Sequence, residues 1–84
     1  MDAILIIGTV AATLTTAAFF PQVIKAHTTK QTKDLSLAMF VMLFFGLIAW
    51  IIYGITLHSL PVIAANSITL VLCVYLIYLK IQYR

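Results

Sequence analysis

Phe19-Phe20-Pro21-Gln22 is the stretch on which the reading of this chain turns. It lies near the end of an apolar run that otherwise reads as a membrane-spanning helix. A proline inside a helix removes one backbone hydrogen bond and crowds the carbonyl four residues earlier, which costs about 3 kcal/mol and bends the helix. In hydrocarbon the freed carbonyl has no bulk water to turn to. A neighbouring helix, a hydroxyl or an enclosed aqueous cavity must serve it. Gln22 places a second polar group at the same depth. A span that carries this pair belongs to a chain with a neighbour, or a use, for it.

The composition around that stretch sets the class. Of the 84 residues, 64% are hydrophobic and 8% charged, against about 25% charged in an ordinary soluble domain. The excess lies in three apolar blocks, Ala3 to Ile24, Leu35 to Leu57 and Leu60 to Leu79, none of which contains a charged side chain. About 20 apolar residues cross a hydrocarbon core of about 30 Å. The sequence therefore predicts an all-α membrane protein, one unit over residues 1–84, with helices at about 3–24, 36–57 and 61–80. The first block is expected to be retained as a span rather than cleaved as a secretory signal, because Asp2 stands on its N-terminal flank where a signal would carry Lys or Arg.

The net charge of +3 follows topology and does not point to nucleic acid. Lys25, Lys30 and Lys33 fall in the first connection and Lys80 and Arg84 at the C-terminus, while the second connection, around His58 and Ser59, has no Lys or Arg. The positive-inside rule then predicts a cytoplasmic first connection and C-terminus and an outward N-terminus; the membrane expected is the cell's inner, or plasma, membrane. The lysines of the connection are also suited to anionic lipid headgroups. Asp34 and Ser36 are both plausible N-caps for the second helix. His27 is expected to be an ordinary loop residue, and Cys73, the single cysteine, an ordinary packing residue.

The spans differ in what they carry. Helix one is rich in small and hydroxyl residues, with Gly8 and Ala12 four apart, and so predicts close approach by another helix, with one or two threonines available to a polar pathway. On helix two, Gly46, Trp50, Tyr53 and Gly54 recur at helical spacing and predict a notch with flat walls. Tyr53, near the outer end, would equally suit the interfacial aromatic belt, an assignment less fitting for Trp50, about two turns inside the helix end. Helix three begins at Pro61, a residue favoured in a first turn. It then carries Asn66, an amide that is costly in a span unless it bonds another helix or faces a wet cavity.

No Asp, Glu, Lys, Arg or His stands within any span, which leaves no proton relay, coupling carboxylate or voltage sensor. No Cys/His cluster, nucleophile–base pair or glycine-rich phosphate loop is present either, so neither an enzyme, a metal site nor a cofactor is predicted. What remains are aromatic faces and amide groups, suited to an uncharged, hydroxyl-rich ligand that stacks its C–H faces and pairs its hydroxyls.

With these residues in place the chain resembles the SemiSWEETs, the bacterial half-size members of the SWEET/PQ-loop sugar transporter family. The resemblance rests on Pro21-Gln22, the Thr32-to-Ser36 run Thr-Lys-Asp-Leu-Ser, Trp50 and Asn66, and covers nearly the whole chain. It implies a parallel homodimer of 3+3 helices around a central pathway. Trp50 and Asn66 would bind the sugar, and Pro21 with Gln22 would form a hinge. It further suggests Tyr53 as an outer gate and Phe19, Met39 and Phe40 as inner-gate candidates. The function implied is downhill carriage of glucose, sucrose or a similar sugar by alternating access. A PQ-loop carrier of another neutral or zwitterionic solute, or a small structural or pore-forming subunit, are the alternatives. Relatives often add a charged residue to the outer gate near the end of helix two, and here only His58 stands in that place.

Overall fold

The computed structural model describes residues 2–83. Four helices are formed: α1 (Ala3–Ala17), α2 (Phe19–Thr29), α3 (Leu37–Thr56) and α4 (Leu60–Tyr83). They make three stretches long and apolar enough to cross a membrane, Ala3–Thr29, Leu37–Thr56 and Leu60–Tyr83, with mean hydropathies of 2.0, 2.4 and 2.2. The protein is a multi-pass membrane protein.

The first span is divided where its proline requires. Pro21 has no N–H to give the carbonyl of Ala17, and the helix is interrupted at Ala18, between α1 and α2. Ala18 keeps right-handed helical angles, φ −63° and ψ −23°, and its N–H still reaches the Leu14 carbonyl. The break is thus a loss of hydrogen bonding without an unwound turn. At the start of α1, the Asp2 carboxylate accepts from the Leu5 N–H at 2.7 Å, an N-cap with the charge suited to that helix end.

The expected end of the first helix at Ile24 is too early. α2 continues to Thr29 and closes on Lys30, which takes a left-handed conformation (φ 58°) and donates to the Ala26 carbonyl at 3.0 Å. Residues 25–29, polar enough to pass for loop, are held as helix because Ala26 is buried. His27 is therefore a helix residue. Its Nδ1 is hydrogen-bonded to the Tyr75 hydroxyl on α4. The connection proper is residues 30–36, and of the two candidate caps it is Ser36 that accepts from the Met39 N–H. Thr32 is buried, and its carbonyl receives the Lys80 ammonium at 2.8 Å. Lys80, counted from the sequence among the basic residues of the C-terminus, ties the connection to the end of α4.

α4 is the middle of the protomer. It packs against α3 on one side and α1 and α2 on the other, and among the described residues no Cα of α1 or α2 comes within 8 Å of α3. The core gathers at the Lys80 end, where Cys73, Leu76 and Leu79 of α4 meet Phe40 and Leu47 of α3, Ala26 of α2 and Leu35 of the connection. Toward the His58 end α3 and α4 are joined by a tight turn. His58 is left-handed there (φ 53°), and the Ser59 N–H bonds the Gly54 carbonyl at 2.9 Å. α4 begins at Leu60, one residue before the expected Pro61, and runs past the expected end at 80 to Tyr83.

Gly54 explains how close that turn can be. A Cβ there would lie 2.9 Å from Val62 Cγ1 and 3.3 Å from the Ile63 backbone nitrogen. The expectation that Gly54 shares an open face with Gly46, Trp50 and Tyr53 therefore fails for Gly54, which is turned into the α3–α4 contact. Gly46 does open beside Trp50 and Tyr53, in a shallow hollow of about 350 Å³.

Candidate functional site

Because α1 and α3 diverge over α4, a groove of about 510 Å³ runs between them. α4 supplies its floor with Val62, Ala65, Asn66 and Thr69; α3 supplies one wall with Leu43, Leu47 and Trp50. The other wall is the small-residue face of the first span, Gly8, Ala11, Ala12, Thr15 and Thr16, closed at its far end by Phe19. No side chain of this lining is ionisable. The small residues were expected to admit a neighbouring helix. At Gly8 no other helix of the protomer does so: among the described residues, and apart from its own helix backbone, nothing lies within 4 Å of where its Cβ would be.

Asn66 and Trp50 are brought to this one groove, from different helices. Asn66 donates from Nδ2 to the Val62 carbonyl one turn back, at 2.8 Å. That bond fixes the amide plane and leaves the carbonyl oxygen and the second N–H for another partner. Among the described residues Asn66 makes no hydrogen bond to another helix, so within the protomer it is not interhelical glue. Trp50 stands 53% exposed, with Tyr53 edge-on at 5.5 Å between centroids and an interplanar angle of 83°. This edge-to-face contact orients the indole from one side and leaves it bordering both the groove and the hollow beside Gly46.

The threonines divide the same way. Thr9, Thr13 and Thr15 donate to carbonyls of their own helix. Thr16 instead reaches α4, donating to the Ala65 carbonyl at 3.2 Å and lying 3.1 Å from the Thr69 hydroxyl. Thr69 donates to the same carbonyl at 2.8 Å, and the single Thr16 proton serves either that carbonyl or the Thr69 hydroxyl. This buried trio fastens the groove's floor to its small-residue wall. Thr16–Thr69 is the positioning contact that sequence reasoning missed. Its only signal was a threonine on each of two spans.

The gate candidates are spread more widely. Phe19 lines the groove. Tyr53 stands beside Trp50 and is half-exposed, as is Met39. Phe40, next to Met39 and about 100° around the helix from it, is 1% exposed in the core, where its carbonyl accepts from the Cys73 thiol. The structure does not bring Phe40 to the groove. Pro21 and Gln22 lie exposed on the flank of the break and outside the groove lining.

A three-span protomer with a neutral groove and a proline-broken first span has clear relatives. The PQ loop repeat family matches residues 3–63. The chain is 46% identical over 76 residues to the sugar transporter SemiSWEET of Leptospira biflexa, covering 90% of this chain and 89% of that one. It is 42% identical over 85 residues to the sugar transporter SemiSWEET of Bradyrhizobium diazoefficiens, covering 99% of each. The chain belongs to the SemiSWEET family. The fold agrees: a crystal structure of a bacterial homologue of SWEET transporters superposes with a TM-score of 0.92 at 41% identity, over 99% of this chain and all (100%) of that one. A crystal structure of SemiSWEET in the inward-open conformation gives 0.85 at 40% identity, over 98% of this chain and 88% of that one. These relatives are named as transporters and not as enzymes, in accord with the absence of a catalytic constellation in the sequence.

Proposed function

We propose that the protein carries a monosaccharide or disaccharide, such as glucose or sucrose, down its gradient. The observation that carries this reading is the meeting of Trp50 and Asn66 in one groove whose lining has no ionisable side chain. An aromatic face and a fixed amide suit a ring with hydroxyl groups. A neutral lining gives no charge with which to hold a zwitterion or couple a proton. That the relatives are named sugar transporters supports the same substrate class.

The working unit is a parallel homodimer in which two grooves face each other across a two-fold axis. Trp50, Tyr53 and Met39 are each about half exposed in the lone protomer, and a second copy would cover them and close the pathway. Trp50 and Asn66 would then clasp the sugar from both sides. Alternating access would use the break at Ala18 as its hinge, with Pro21 preventing the missing bond from forming and Gln22 beside it. Tyr53 is the proposed outer gate, and Phe19 with Met39 the inner one. Phe40 would act only as packed backing behind Met39. The charge distribution supports an outward N-terminus and a cytoplasmic C-terminus, with Lys25, Lys30 and Lys33 at the lipid headgroups.

The test is uptake of labelled glucose and sucrose into proteoliposomes that hold this protein alone. The expected result is saturable uptake that stops at equal concentrations and ignores an imposed pH gradient. No uptake of either sugar, or accumulation above the external concentration after a pH step, would refute the proposal.

A further inference from the structure

Gly8 has no purpose in the protomer's own packing. It lies inside α1, where glycine is about 1 kcal/mol less favourable than alanine. Such a residue usually marks a place where something comes too close for a Cβ, as at Gly54, where Val62 would be 2.9 Å away. At Gly8 there is nothing within 4 Å. The vacant space is the groove, which Gly8 lines together with Trp50 and Asn66.

Gly8 lies toward the outer end of that groove. Thr16 of α1 meets Ala65 and Thr69 of α4, and the helix from Thr16 back to Gly8 carries the wall about 12 Å toward the His58 end, at 1.5 Å per residue. Asn66, with Trp50 beside it, stands level with Thr15 and Thr16, so Gly8 is about 10 Å outward of them. There the wall is bare backbone, while nearer the indole it carries short side chains, at Ala11, Ala12 and Thr15. In a two-fold assembly the gap would occur twice, on opposite sides of the pathway.

We infer that Gly8 is a size-determining residue of the sugar site: its missing side chain makes room for the second ring of a disaccharide. This rests on the groove being the sugar site, as proposed above. Adding a methyl group at Gly8 leaves the first ring free to stack on Trp50 and bond Asn66, but removes space at the edge of the site. A methyl-sized change in a close-fitting pocket shifts discrimination between substrates about tenfold or more.

The experiment measures glucose and sucrose uptake by proteoliposomes of the wild type, Gly8→Ala and Gly8→Val, with dimer content and thermal midpoint followed in detergent. Gly8→Ala meets no neighbouring atom and keeps the fold. The expected result is a sucrose-to-glucose rate ratio that falls in order, reaching about a tenfold or greater loss at Gly8→Val, with dimer content retained. Equal loss of both sugars, or an unchanged ratio, overturns the inference. Loss of the dimer overturns it as well and assigns Gly8 to contact with the second copy. A wild type that moves glucose but not sucrose overturns the size role while leaving Trp50 and Asn66 as the site. A wild type that moves neither sugar defeats the site itself.

Discussion

Replacing Gly54 with alanine tests how the groove is held in shape. The added Cβ would sit 2.9 Å from Val62 Cγ1, 3.1 Å from Ile63 Cγ1 and 3.3 Å from the Ile63 backbone nitrogen. Val62 and Ile63 are β-branched and stiff at χ1, and a backbone nitrogen cannot rotate away. The first turn of α4 must therefore shift by a few tenths of an ångström. Overpacking of this kind costs about 1–3 kcal/mol, set against a gain of about 1 kcal/mol from removing a helical glycine. Gly46→Ala, on the same helix, brings the same gain and meets nothing within 4 Å. The propensity gain cancels between the two variants, so the prediction is a difference of about 1–3 kcal/mol, with Gly54→Ala the less stable. It can be read by reversible unfolding in mixed micelles, followed by the fluorescence of Trp50, the chain's single tryptophan. Val62 also accepts the bond that fixes the Asn66 amide, so sugar uptake should fall in Gly54→Ala and persist in Gly46→Ala. Equal stabilities for the two variants would refute the reasoning.

Three further outcomes are expected. Trp50→Ala and Asn66→Ala should each abolish sugar uptake while the protomer stays folded, since Trp50 lies outside the buried core and Asn66, among the described residues, bonds only its own helix; uptake that survives in both would remove them from the site. Pro21→Ala restores an N–H facing the Ala17 carbonyl and should slow sugar exchange in a fold that is unharmed or firmer, measured by counterflow, whereas an unchanged rate counts against the hinge. Thr16→Val and Thr69→Val, combined in a double-mutant cycle of stability, should show a coupling of about 0.5–1.5 kcal/mol, the range of hydrogen bonds between helices in membranes, and additive losses would deny the contact.

The parts of the fold that were legible from sequence are those governed by solvent. Apolar blocks without charge must lie in lipid, and Pro21 must break its helix, so the three spans and the weak point of the first follow directly. The end of the first helix was not legible because a polar sequence outside the membrane looks alike as helix or loop. Ala26, buried against its neighbours, decides between them, and a lone alanine gives no warning of that. Which face of each span turns inward was equally hidden, since these helices are apolar all round. Met39 and Phe40 share a depth but face different ways, and only packing separates a half-exposed Met39 from a Phe40 in the core. Trp50 and Asn66 stood out because aromatic and amide groups at that depth need a partner. The small-residue wall did not stand out as a binding surface, because short side chains serve close helix packing and open space equally well.

The position of α4 has a consequence for how the chain is made. The third span, synthesised after the other two, lies between them, and those two do not approach each other among the described residues. When α1 and α3 have entered the bilayer they have no mutual surface to settle on. Thr16 waits for Thr69, Ala26 and Leu47 for the core residues of α4, and the Thr32 carbonyl for Lys80. Assembly is thus a late, single event that begins only when α4 arrives. A ribosome stalled before Leu60 would hold two lipid-soaked helices and no protein.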